Sequence, residues 1–126
     1  MRVAIKHKGS FKNVEKFLKG YDSQKMSVLL ERLGQIGTNA LADATPIDSG
    51  ATADLWWHMT TTTKYKSTIQ WMNSSVDNGA PVVILLQYGH GTKSGGFVQG
   101  NDFINPAMRP VFNLIAEALW EEVTKL

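Results

Sequence analysis

A chain of 126 residues, 43% apolar and with four tryptophans and five phenylalanines, can bury one core, so it is expected to be a single domain and not a disordered tail. It has no cysteine, which excludes disulfides and thiolate chemistry and fits assembly in a cytoplasm. The longest apolar run, Val82 to Leu86, is five residues, too short to span a membrane, and no apolar stretch of a secretory signal follows Arg2, Lys6 and Lys8.

The net charge of +2 is unevenly spread. Residues 1–25 carry seven Lys or Arg against Glu15 and Asp22, residues 26–100 sum to −1, and residues 101–126 sum to −2. A basic segment over residues 2–25 raises the alternative of a nucleic-acid-binding module. A solvated helix face, or a basic surface meeting an acidic protein partner, explains the same charges, and no RNA-binding aromatic motif or zinc-knuckle spacing accompanies them.

In chain order, Val3, Ile5 and His7 alternate with Arg2, Lys6 and Lys8 and predict a short strand or arm over residues 1–8. Phe11, Val14, Phe17 and Leu18 are at helical spacing from Ser10, and Gly20 ends that segment. Ser23 opens the strongest helix, with Met26, Leu29, Leu30, Leu33, Ile36, Gly37, Ala40, Leu41 and Ala44 on one face. Gly34 and Gly37 each cost about 1 kcal/mol relative to alanine, which predicts the close approach of another backbone there. Pro46 closes the helix, and Thr45 to Gly50 is a turn cluster.

Leu55 to Thr63 and Ser67 to Asn73 predict two strands with a turn near Lys64 to Lys66. Trp57, Met59, Thr61 and Thr63 share one face, and Trp56, His58, Thr60 and Thr62 the other, so of the two adjacent tryptophans one belongs to the core and one to a subunit contact. Asn73 to Ser75 and Asp77 to Gly79 are loops. Val82 to Leu86 is a buried strand or a short helix, and period does not decide between them. Gly89 to Asn101, with five glycines, is expected to be irregular and mobile until assembly orders it. Pro110 suits an early position of a final helix carrying Val111, Phe112, Leu114, Ile115, Ala118, Leu119 and Val123. The order predicts an α+β fold: a small antiparallel sheet packed against two or three helices, with a long glycine-rich loop.

The glycine loop is not a phosphate cradle. Lys93-Ser94 is followed by Gly95-Gly96 where a P-loop helix must begin, and no βαβ unit surrounds it. His7, His58 and His90 lie on three separate elements without ligand spacing, so no metal is expected. No G-x-S-x-G elbow occurs, and carboxylates are sparse in the middle of the chain. These absences predict no enzyme activity and no cofactor.

Four short motifs carry a resemblance. Ala44 to Gly50, which includes Pro46, Asp48 and Gly50, followed by a tryptophan, resembles the "TPvDTG…W" step of a siphophage tail-component family of tail completion, minor tail and head–tail joining proteins. Ile69 to Asn73 matches its "v.N" strand end, and Leu86 to Thr92, with Tyr88, Gly89, Gly91 and Thr92, its "hEyGtGt" element. Phe103 to Ala107, with Phe103, Asn105 and Pro106, matches the "FinPAl" step into its last helix. The four span roughly residues 24–115 in the family's order. Ala51-Thr52-Ala53 stands where the family has a basic residue, and Gln87 where it has an acidic one, so no ion pair is carried over at those positions.

The resemblance implies no catalytic residue. It implies a structural virion protein, assembled in the host cytoplasm, at the head-proximal end of a long non-contractile tail. Such a protein forms a ring, a hexamer by the resemblance, that joins or terminates the tail tube. Its partners are other copies of itself, the neck or stopper protein and the major tail tube protein; it meets no membrane, and meets nucleic acid only as DNA passing through the ring lumen. Lys93, Phe97, Val98 and Gln99 are the expected assembly contact. The basic N-terminal segment and the acidic last helix offer the two unlike surfaces that a heterologous ring contact needs.

Overall fold

The computed structural model describes residues 2–6, 23–46, 50–63 and 66–125. Their elements are β1 (Arg2–Lys6), α1 (Ser23–Ala44), the one-turn α2 (Gly50–Ala53), β2 (Trp56–Thr62), β3 (Ser67–Asn73), β4 (Val76–Asp77), β5 (Ala80–Pro81), α3 (Val82–Tyr88), β6 (Gly89–Gly91), β7 (Phe97–Gln99) and α4 (Ile104–Thr124). The fold is α+β, as the order of patterns predicts. The helix expected from Ser10 to Gly20, most of the basic segment, and Asp48 lie outside the described residues.

α1 forms because its apolar residues recur every three or four positions. Met26, Leu29, Leu30, Leu33 and Leu41 are buried, whereas Ile36 falls off the centre of that stripe and is exposed. The helix ends where the Thr45 hydroxyl turns back to the Leu41 carbonyl (2.7 Å), just before Pro46. Buried Trp56 donates its indole N–H to that same hydroxyl (2.8 Å), which ties the start of β2 to the end of α1.

β2 and β3 form an antiparallel pair running from Trp56↔Asn73 to Thr62↔Ser67, and β1 lies antiparallel on the other side of β3, giving the order β1-β3-β2. The alternation of a strand sends successive side chains to opposite faces. Trp56 is therefore buried and Trp57 exposed, with the Trp57 indole bonded to Ser74 at the strand's rim. On the inner face Ile69 and Trp71 meet α1 and α4 in a single cluster that includes Val83, Phe103, Ile104, Met108, Val111 and Ile115.

The helical glycines admit aromatic rings, not a backbone. A Cβ on Gly37 would lie 2.5 Å from the Trp71 indole, and one on Gly34 would lie 2.5 Å from the His58 ring. The close approach is real, but side chains from the sheet make it.

Three other stretches differ from the sequence reading, and Val82 to Leu86, left between strand and helix, is decided. Asn78 (φ 50°) and Gly79 (φ 80°) form the two-residue turn of the β4–β5 hairpin, where a loop is expected. Asn-Gly is the strongest short hairpin signal because both residues tolerate the left-handed region. Val82 to Tyr88 is helix. Gly89 to Asn101 is not irregular: β6 and β7 pair within it. α4 begins at Ile104, so Pro110 is its seventh residue. Pro110, which has no N–H for the Pro106 carbonyl, and Pro106 itself are both exposed. Among the described residues no helix is long and apolar enough to cross a membrane.

Candidate assembly surface

The last two of the four motifs lie in one module, α3–β6–β7–α4. α3 ends at Gly89, whose φ of 83° is open to glycine but strained for other residues. A Cβ there would lie 2.5 Å from the Val98 carbonyl oxygen, and one on Gly100 would lie 2.5 Å from the Gly89 nitrogen, so the two glycines cross at the base of the hairpin. The strands pair Gly89↔Gln99, His90↔Val98 and Gly91↔Phe97, which lays Phe97 along the glycine side of the ribbon. Thr92 closes the tip: its backbone N–H bonds Gly96 (2.9 Å), and its hydroxyl accepts the Gly96 N–H (3.0 Å).

Gln87, the departure from the family's acidic residue, anchors this hairpin to the core. Its buried amide oxygen accepts the backbone N–H groups of Phe103 (3.1 Å) and Ile104 (3.2 Å), two donors that the start of α4 leaves open. Its amide nitrogen donates to Asp102 (2.6 Å). Asp102 in turn caps α4 by accepting the Asn105 N–H (3.2 Å) and holds the Asn105 amide (3.2 Å). Phe103 is buried beneath, while Asn105 and Pro106 are exposed on the first turn.

The expected assembly residues Lys93, Phe97, Val98 and Gln99 are all exposed along β7 and the tip. Phe97, on the paired backbone of β7, and Tyr88, the last residue of α3, are each 65% exposed, a high value for aromatic side chains. His90 stands apart: its Nδ1 is closed to solvent and has no hydrogen-bond partner among the described residues. The other motif residues serve the scaffold. Asn73 ties the end of β3 to α2 by donating to the Thr52 carbonyl (2.8 Å) and accepting the Ser75 N–H (2.8 Å). Pro46 is half-buried behind α1, and Gly50 opens α2.

One cluster escapes motif reading. The His58 ring lies on Gly34 with its Nδ1 2.9 Å from the Thr38 hydroxyl and its Nε2 3.0 Å from Glu31, whose other oxygen accepts the Thr60 hydroxyl (3.0 Å). Carboxylate, imidazole and hydroxyl in a row have the order of a proton relay. Here, however, the hydroxyl also turns to the Gly34 carbonyl (3.0 Å) and the ring rests against the helix, so the arrangement buckles β2 to α1. Only the i, i+3, i+7 spacing of Glu31, Gly34 and Thr38 signals it in sequence. Among the described residues no three His, Cys, Asp or Glu converge as a metal site.

Both carboxylates titrate low. A hydrogen bond from Gln87, with Asn105 adding to it, holds Asp102 below the usual carboxylate range, and hydrogen bonds from His58 and then Thr60 do the same for Glu31. A depressed folded pKa means stability that is fully present above the unfolded value, about 4, and lost as pH falls through the folded one. The melting temperature is therefore expected to fall below about pH 4, and to fall less in Asp102→Asn. Equal acid slopes for parent and variant in thermal melts would refute this.

Comparison with family models, with curated proteins and with solved structures gives no match.

Proposed function

We propose that this chain is a structural subunit of a phage tail–neck junction, forming a ring that joins or terminates the tail tube. The β6–β7 hairpin is its contact with the next subunit or with a neck or tube protein. The observation that carries this reading is the hairpin itself. It puts Phe97 and Val98 into solvent on a ribbon whose base is fixed by crossed glycines and by Gln87, with exposed Tyr88 at the end of α3 beside it. Exposed aromatics on a preorganised ribbon are the kind of anchor that dominates interface energy, and preorganisation reduces the entropy lost on binding. Gln87, Tyr88, Gly89 and Thr92 fall in the "hEyGtGt" element of the resemblance and Phe103 and Asn105 in "FinPAl", so the two motifs flank the projecting Phe97 and Val98.

Deleting Lys93–Gln99 separates assembly from folding. None of these residues is buried, so the far-ultraviolet circular dichroism and melting temperature are expected to stay near those of the parent. Rings seen by electron microscopy, or the joining of tails to heads in complementation, are expected to be lost. A deletion variant that assembles normally overturns the reading, and so does one that fails to fold.

A further inference from the structure

β2 is an edge of the three-stranded sheet, and among the described residues nothing pairs with it on the side away from β3. It is seven residues long and reads WWHMTTT, with no Lys, Arg, Asp, Glu or Pro. Soluble proteins blunt such edges with charge, proline, bulges or short length, because an open row of N–H and C=O groups templates another strand. β2 carries none of these devices. On its outer face Trp57 and Met59 are 44% and 43% exposed.

We infer that the open edge of β2 pairs antiparallel with β2 of a second copy, about a two-fold axis beside Met59. The sequence is complementary to itself in that direction. With Met59 opposite Met59, Trp57 faces Thr61, Trp56 faces Thr62, and His58 faces Thr60. Aromatic and β-branched residues make favourable cross-strand pairs, and no like charges oppose one another within the strands. Directly opposed residues share a face, so the pairing builds one six-stranded sheet with both α1 helices on the same side. The Glu31 carboxylate beside the strand is in each copy already bound to its own His58 and Thr60. This contact is isologous and closes at two copies, unlike the heterologous contact of a ring, and it does not depend on the ring reading.

The test uses the full-length chain in sedimentation velocity. Below the concentration at which rings form, the parent is expected to sediment as a dimer. Met59→Lys and Met59→Glu each place like charges opposite one another at the axis and are expected to run as folded monomers of half the mass. An equimolar mixture of the two is expected to recover the dimer, because lysine then faces glutamate. The Lys93–Gln99 deletion is expected to remain dimeric even where rings are lost, which separates failure of this contact from failure of the hairpin contact. A monomeric parent overturns the inference. So does a Met59→Lys variant that dimerises like the parent, or a mixture that stays monomeric, since an edge paired with a different strand gives no charge rescue.

Discussion

Replacing Trp71 with alanine is expected to remove about 3–5 kcal/mol of stability, a large part of the roughly 5–15 kcal/mol that holds a domain together. Trp71 is 0% exposed, the largest of the fully buried side chains among the described residues. Its ring fills the notch that Gly37 leaves in α1 and lies 6.4 Å, centroid to centroid, from the tilted ring of Phe112 on α4. Its indole N–H donates to the Gly34 carbonyl (2.9 Å). The substitution therefore opens a cavity where sheet and both long helices meet, and α1 cannot collapse into it without leaving β2. Trp71→Phe keeps most of the volume and removes the donor, while Gly34 retains the Thr38 hydroxyl, so its loss is expected to be clearly smaller. Urea unfolding measures both, with Trp57→Ala, on the exposed face, as the comparison. A Trp71→Ala loss no greater than that of Trp57→Ala would show that the core does not pivot on this ring.

The second large effect is expected at Gln87. Leucine there keeps the bulk but leaves the Phe103 and Ile104 N–H groups without their acceptor, at about 1–3 kcal/mol for each buried group left unpaired. It also removes the donor to Asp102. Glutamate restores an acceptor for both N–H groups but sets a second carboxylate against Asp102. Like charges that close raise a carboxyl pKa in the folded state, so Gln87→Glu is expected to gain stability relative to the parent as pH falls and the introduced carboxylate takes up a proton. Chemical denaturation of both variants across the acid range checks this. A Gln87→Glu variant whose deficit stays constant with pH would refute the account of Asp102 and Gln87 as donor-matched partners.

How much of this was legible follows from range. α1 and the β2–β3 pair rest on long runs of one period, and Trp56 in, Trp57 out follows from alternation alone. The start of α4 was hidden because Pro110 suits a first turn, while the true cap, Asp102 with Asn105, lies before a second proline that suits one equally well. The β6–β7 hairpin has almost no apolar alternation to betray it. It is held by glycines that allow two backbones to touch, and by a glutamine fifteen or more residues from the groups it binds. The Glu31–Thr38–His58–Thr60 buckle needs residues 20 to 29 positions apart to meet, which no local pattern encodes.

The topology of the sheet also sets an order of events during synthesis. β2 and β3 are neighbours in the chain and close as a hairpin across a short turn, but β1 must find Ile69 from Ile5. Closing so long a loop loses entropy before any contact repays it, and such pairings are slow. The first strand of this sheet to leave the ribosome is thus the last to enter it, and a nascent chain stalled before Ser67 has made the segment that completes the sheet but not the strand that receives it.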